Sequence, residues 1–518
     1  MAELTGTAAE PKQSKYLVLA AMLFAVAMLF IDQTIISIAS PTIQQELGLS
    51  DEGVQWVVNG YLLALSAFFA LGGRLSDILG HKRMVLIGVT VFAVSSALCG
   101  LTPANSMAEA WIIVFRVVQG LGGALLFPAA IALIVDVFPV SERGKALALF
   151  FGITGAFTAI GPIAGGYLTQ WSWRAIFWVN IPVALLAIVL TLMIKAPDQR
   201  RHESIDWRGA ALVASGMALA VLGFQQSSDW GWESPATWGC ITAGVVLLVI
   251  FVLVELRTDV PLIRVRIFSG RAFAVDNLSL FFVSAAFVPV FFFISLYAQI
   301  SLGYNASESG LFLMWFFLGF VVAAQIGGRI LDTRGVKITL IVGCAVAAVG
   351  FVLWARATPK LDAGAITPYI VMTGAGIGLM FGPTNTDAVN RAINASYGEV
   401  SGITQTVRYF GASVGMAILG TLMINQVTSR FTNSLVGFGV PESTATQIAA
   451  GAAKGNAQGD GGAGQVPAAV RAEIMKAYQV DFADAVSYVF YGMAVVMVVA
   501  LIAGLFHPGG RVVAEPAS

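Results

Sequence analysis

The chain has 518 residues, with 29 basic and 29 acidic side chains making up 11% of it, where a soluble globular protein carries about 25%. Hydrophobic residues reach 57% and the mean hydropathy is +0.82. This excludes a disordered chain, a nucleic-acid binder and an ordinary soluble enzyme, and leaves a polytopic membrane protein. The zero net charge says nothing about partners, because in such a chain the placement of the positive charges is what informs.

Apolar stretches of about 20 residues, enough to cross a hydrocarbon core of about 30 Å as helices, recur fourteen times. They fall near 16–39, 54–74, 84–103, 109–135, 146–168, 175–194, 209–226, 236–255, 272–298, 308–328, 337–356, 364–388, 402–425 and 483–506. The first follows Lys12 and Lys15 as a signal peptide would, but it is long enough to span and contains Asp32, so it is expected to stay as an anchor. With the N-terminus inside, 20 of the 29 basic residues fall in cytoplasmic loops or tails, and both termini are cytoplasmic. The location this predicts is the cell (inner) membrane. Cys99, Cys240 and Cys344 each stand alone in an apolar segment and are expected to pack, with no metal or redox spacing.

The chain repeats itself. Gly72-Gly73-Arg74-Leu75-Ser76-Asp77-Ile78-Leu79-Gly80-His81-Lys82 is echoed 255 residues later by Gly327-Gly328-Arg329-Ile330-Leu331-Asp332-Thr333-Arg334-Gly335-Val336-Lys337, and segments 4 and 12 match at nearly the same shift. Segments 1–6 thus pair with 9–14, and 7–8 are an inserted pair. The expected domains are a six-helix bundle over 1–195, the insertion over 196–270, a second bundle over 271–506 and a tail over 507–518. The architecture predicted is an all-α membrane protein of two pseudo-symmetric six-helix bundles plus an inserted pair, which works by rocking one half against the other.

Four patterns carry chemistry. The loop between segments 2 and 3, Gly73-x-Leu75-x-Asp77-x-x-Gly80-x-Lys82-Arg83, has glycines for a tight turn, an acid that can accept from a helix N-terminus, and a basic anchor. Segment 4 holds Arg116-Val117-Val118-Gln119-Gly120-x-Gly122, and segment 1 holds Asp32. At 1.5 Å per residue, Asp32 lies about 24 Å from one membrane face and Arg116 about 10 Å from the other, so both fall at similar depth in the outer half. A carboxylate and a guanidinium there can trade a proton, because burial and a neighbouring cation push the acid in opposite directions. A static ion pair between two helices is the simpler alternative. Segment 5 carries Gly152-x-x-Gly155-(x5)-Gly161-Pro162-x-x-Gly165-Gly166, small residues that admit close helix approach around a proline.

Together these patterns resemble the major facilitator superfamily, and within it the fourteen-spanning drug:proton antiporters of the quaternary-ammonium and multidrug exporter type. The resemblance covers essentially the whole chain. It implies that Gly73, Asp77, Gly80, Lys82 and Arg83 form a gating latch with a second copy at Asp332 and Arg334. It further implies that Asp32 and Arg116 couple transport to protons, and that Gly155, Gly161, Pro162 and Gly165 form the antiporter helix found more in exporters than in uptake symporters. Asn59 stands where some relatives carry an acid, and 311–326 has none, which points to neutral or singly charged amphipathic substrates. Gln33, Asn59, Tyr61, Gln119, Phe292 and Trp315 are expected around such a cavity, and Asp276 with Arg408 as an inner gate, although packing or interfacial positions are the alternatives for Asp276, Asp387 and the Phe-rich segments 9 and 10.

The expected function is proton-coupled export of hydrophobic or amphipathic compounds by alternating access, the alternative being export or flipping of an endogenous lipid or metabolite. No Gly-x-x-x-x-Gly-Lys-Ser/Thr is present, so no ATP site, cofactor, metal, enzymatic activity or nucleic-acid partner is expected. His81, His202 and His507 all fall on the cytoplasmic side, so no histidine relay is expected to cross. The loop 427–481, with a glycine-rich linker at 455–465 and helical flanks at 441–453 and 467–481, is predicted outside, as a solvated linker, a lid or a place for a periplasmic accessory protein.

Overall fold

The computed structural model describes residues 15–195, 206–259, 261–391, 397–453 and 471–510, and they are helical nearly throughout. The helices that follow the expected crossings are numbered α1 (Lys15–Leu47), α2 (Asp51–Leu79), α3 (His81–Gly100), α4 (Ala108–Val137), α5 (Val140–Trp171), α6 (Asn180–Leu192), α7 (Trp207–Gln225), α8 (Pro235–Glu255), α9 (Arg271–Ile300), α10 (Ala306–Arg334), α11 (Val336–Ala357), α12 (Ala363–Arg391), α13 (Tyr397–Gly437) and α14 (Arg471–Leu505). Thirteen of the fourteen expected crossings are long and apolar enough to span. The fifth falls in α5, whose 32 residues reach about 48 Å and whose fully described apolar run is Lys145–Gly155.

Local sequence sets the ends. Ser50 caps α2 by accepting from Gly53 N at 2.9 Å, Asp206 caps α7, and Asn305 with Glu308 forms a reciprocal capping box on α10. The turns α2–α3 and α10–α11 are each made by one residue with positive φ, Gly80 at 100° and Gly335 at 80°, which stand 255 apart in the duplicated motif. Only glycine enters that region without a Cβ penalty, so the repeated glycine is a backbone requirement.

Packing follows the duplication. In the first half α1 packs on α4, α5 and α6, α2 on α4, and α3 on α4 and α6; in the second half α9 packs on α12, α13 and α14, α10 on α12, and α11 on α12 and α14. The glycines of the repeat make these approaches: a Cβ on Gly72 would overlap the backbone of Ala124, and one on Gly327 that of Leu379. The same holds for Gly122 against Phe92 and Gly376 against Ala347. In a bilayer such small-residue contacts replace the hydrophobic effect as the force between helices. The halves meet along two seams, α2 with α13 and α5 with α10.

The inserted hairpin α7–α8 lies against α2 and α13, beside one seam only. Its α8 turns Val245, Val246, Val249, Ile250 and Leu253 outward, as a lipid-facing helix does. Most basic residues collect at one face of the bundle, called here the basic face, where Lys15 pairs with Glu142 and the end of the described chain, Gly509–Gly510, meets Arg391. On the opposite face the expected long loop is shorter than the sequence suggests, because α13 continues to Gly437 and α14 starts at Arg471. The intervening helix Glu442–Ala453 folds back on α13, tied by Tyr478 Oη donating to Ala452 O at 3.2 Å. The glycine-rich 455–465 lies outside the described residues, as do Lys12, His202 and the tail beyond Gly510.

Candidate functional site

Three buried polar side chains meet in the first half. Asp32 on α1 receives Arg116 Nη1 at 2.5 Å on Oδ2 and Gln119 Nε2 at 2.9 Å on Oδ1, and Arg116 Nη1 also donates to Gln119 Oε1 at 2.9 Å. Arg116 and Gln119 are fully enclosed and Asp32 is 1% exposed. The i, i+3 spacing on α4 puts Arg116 and Gln119 on one face, and the matching depth of Asp32 places it opposite. Arg116 is held further by Nε donating to Val57 O on α2 at 2.8 Å and by the Tyr61 ring, 4.4 Å from its guanidinium carbon. Its Nη2 is buried with no hydrogen-bond partner among the described residues. One guanidinium therefore joins α1, α2 and α4, and leaves the two N–H groups of Nη2 to offer.

Tyr61 and Gln119, expected in a cavity wall, belong to this cluster. Gln33 and Asn59 are half-buried near it in sequence. Phe292 and Trp315 need correction: at 44% and 45% exposed they point away from the bundle, on the outward sides of α9 and α10, where lipid would meet them. The aromatics that do turn inward are Phe287, Phe291, Phe316, Phe317, Phe320 and Phe381, a continuous set of ring contacts with centroids 4.8–6.4 Å apart.

The loop motif bridges the seam at the basic face. Asp77 accepts from Gly398 N at 3.2 Å and Glu399 N at 2.9 Å, so its carboxylate caps the start of α13 across the seam. Gly73 allows that approach, since a Cβ there would overlap Gly398 O. Lys82 donates to Ile194 O at 2.6 Å past the end of α6, and Arg143 Nη1 reaches Tyr397 Oη at 3.0 Å. Arg83 is exposed. The second copy differs: Asp332 Oδ2 has no hydrogen-bond partner among the described residues, and Lys145 is the charge it senses on α5, while Arg334 is exposed. On α5, Gly161 abuts Thr34 and Ile31, the neighbours of Asp32, and Gly155 abuts Phe317 and Phe320 of α10. Gly165 is buried, and the Pro162 side chain lies outside the described residues.

The expected pair of Asp276 with Arg408 does not form. Arg408 Nη1 donates to Gln405 Oε1 at 2.6 Å and its guanidinium lies 4.2 Å from the Phe381 ring, a local and aromatic solution on α13 and α12. Asp276 instead faces His507 Nε2 at 3.5 Å, which lies 3.4 Å from Asp387, and Asp387 accepts from Arg391 Nε at 2.5 Å. All three of Asp276, Asp387 and His507 are buried. Depth along the helices puts two of them at one level, Asp276 five residues from the start of α9 and Asp387 four from the end of α12, whereas His507 lies two past the end of α14 and outside the spans.

With the fold in place, the comparisons with known proteins are direct. The model of the Major Facilitator Superfamily matches residues 22–416. The chain belongs to that superfamily. It is 35% identical over 418 residues to the tetracenomycin C resistance and export protein of Streptomyces glaucescens, covering 80% of this chain and 77% of that protein. It is 28% identical over 516 residues to multidrug resistance protein 3 of Bacillus subtilis (strain 168), covering 98% and 97%. Among solved structures, the major facilitator proton:xylose symporter XylE aligns with a TM-score of 0.60 at 13% identity, over 96% of this chain and 97% of that one. The superfamily makes this chain a multi-pass membrane transporter of small molecules.

Proposed function

We propose that the chain is a proton-driven antiporter that exports hydrophobic or amphipathic compounds from the cytoplasm, with Asp32 as proton carrier and Arg116 as its counter-charge. One observation carries the reading: a carboxylate held in a water-poor interior by an arginine that also grips α2 and keeps an unused donor nitrogen. Ionised, Asp32 anchors α1 to α4. A proton entering from the outer side cancels the charge, and Arg116 then keeps Val57 O but loses its anionic partner. A buried charge left without its partner costs about 3–5 kcal/mol, enough to bias two conformations.

Two routes carry that bias outward. Gly161 packs α5 onto α1 on either side of Asp32, and α5 meets the second half at α10. Val57 and Asp77 lie on the same helix, about 30 Å apart, so α2 runs from the triad to the latch on α13. Relatives named for export of tetracenomycin C or for multidrug resistance support a hydrophobic cargo and the outward direction. Asn59 and the acid-free stretch 311–326 support a neutral or singly charged one. In this reading the basic face is cytoplasmic and the membrane is the cell membrane.

The test is reconstitution in liposomes with an imposed pH gradient, following ethidium as a fluorescent lipophilic cation. Wild type should accumulate it uphill, and Asp32→Asn should bind ethidium yet only equilibrate it. Uphill transport by Asp32→Asn with unchanged proton dependence would remove Asp32 from the mechanism.

A further inference from the structure

The cluster at the basic end of the second half has no part in the mechanism above. Asp276, Asp387 and His507 present ligand atoms within 4.8 Å of one another, all buried. Neither carboxyl oxygen of Asp276 has a hydrogen-bond partner among the described residues, and neither does His507 Nε2. The charges around them are unequal. Asp387 has Arg391 at 2.5 Å, and Arg391 also donates through Nη2 to Gly509 O and Gly510 O at 3.0 Å each. No hydrogen bond or ion pair joins Arg271, Arg329, Arg334, Lys337 or Arg408 to Asp276 among the described residues; Arg271 donates to Phe506 O at 3.0 Å, and Arg408 is spent on Gln405. Asp276 is thus a fully enclosed carboxyl facing a second carboxyl, and the cation whose field reaches it, Arg391, is bound by Asp387 instead.

His507 decides what such a site holds. Gly509 N donates to His507 Nδ1 at 3.0 Å, so Nδ1 keeps its lone pair and the ring proton sits on Nε2, pointing between the two acids. An Nε2 that carries a proton has no lone pair for a metal ion, and Arg391 already occupies Asp387, so three potential ligands do not make a cation site. A buried carboxyl without a cation is stable only in its neutral form. We propose that Asp276 binds a single proton in a site sealed by His507, giving the second half of the molecule a proton-binding group of its own. The seal is the post-α14 segment, Phe506–Gly510, pinned by Arg271 from α9 and Arg391 from α12. Withdrawal of that segment would open Asp276 to water at the basic face and let the proton leave. The inference does not depend on Asp32 or on the direction of transport.

Infrared difference spectroscopy on the full chain in lipid nanodiscs reads a protonated carboxyl directly. Wild type at neutral pH should give a protonated-carboxyl band that disappears in Asp276→Asn and persists in Asp32→Asn. In D2O the band should exchange slowly, and His507→Ala should speed exchange by about tenfold or more by opening the seal, while His507→Gln, which keeps a donor, stays near wild type. A band that survives Asp276→Asn, or exchange that is unchanged in His507→Ala, would overturn the proposal.

Discussion

In the first half the buried ion pair between α1 and α4 is Asp32 with Arg116, about 26 Å along α1 from its start at the basic face. In the second half, the positions that packing and the repeat make equivalent are Ala286–Phe287 on α9 and Ile370 on α12, all buried and apolar. The reverse also holds. Asp276 and Asp387 sit near the basic face, and the corresponding positions of the first half are the buried Ala21 and Leu133. At these matched positions the same helix contacts therefore carry ionisable groups far from the basic face in the first half and near it in the second. The scaffold is set by small residues at helix crossings, which leaves the side chains between them free to diverge. Rocking about a pseudo-twofold axis needs matching surfaces at α2–α13 and α5–α10, and places no demand on matching charges.

The contrast can be broken most severely at Arg116. Arg116→Ala strands Asp32 in the interior and should cost about 3–5 kcal/mol, read as a large fall in thermal stability, and Arg116→Lys should rescue little because a point charge cannot hold Asp32, Gln119 and Val57 O together. The counterpart change Ile370→Ala should cost about 2–5 kcal/mol through a cavity alone and leave proton dependence intact. Next comes α5: Gly161→Val should drive α1 and α5 apart beside Asp32 and abolish transport, with helix separation read by spin-label distances. The two latches should separate by a smaller margin. Asp77→Asn removes a charged cap from α13 and should shift the bridged seam at the basic face toward opening by about 1 kcal/mol, measured by thiol labelling of cysteines placed there, whereas Asp332→Asn should shift it less. Least of all, Phe292→Ala and Trp315→Ala should stay within about 0.5 kcal/mol and leave ethidium transport unchanged, as lipid-facing positions.

Much of the fold was legible because crossing a bilayer demands long apolar runs and the repeat fixes which helices correspond. The triad was legible for a related reason, since depth along a helix is linear in residue number and Asp32 and Arg116 fall at one level. What depth does not give is azimuth. Asp276 and Arg408 are near the same level, yet they sit on helix faces that do not meet, and Phe292 and Trp315 lie on the lipid side of helices whose other faces hold Phe287, Phe291, Phe316 and Phe320. Hydrophobic periodicity could not separate those faces, because lipid and core both favour phenylalanine. His507 was hidden differently: it follows the last span, where a residue is counted as tail, and only the reversal of the chain after Leu505 buries it.

Counting protons tests the coupling assignment most directly. Purified protein in weakly buffered detergent solution, titrated with ethidium near neutral pH, should release about one proton per bound ethidium in wild type and none in Asp32→Asn, with ethidium still bound. Equal proton release from wild type and Asp32→Asn would contradict the assignment of Asp32 as the carrier.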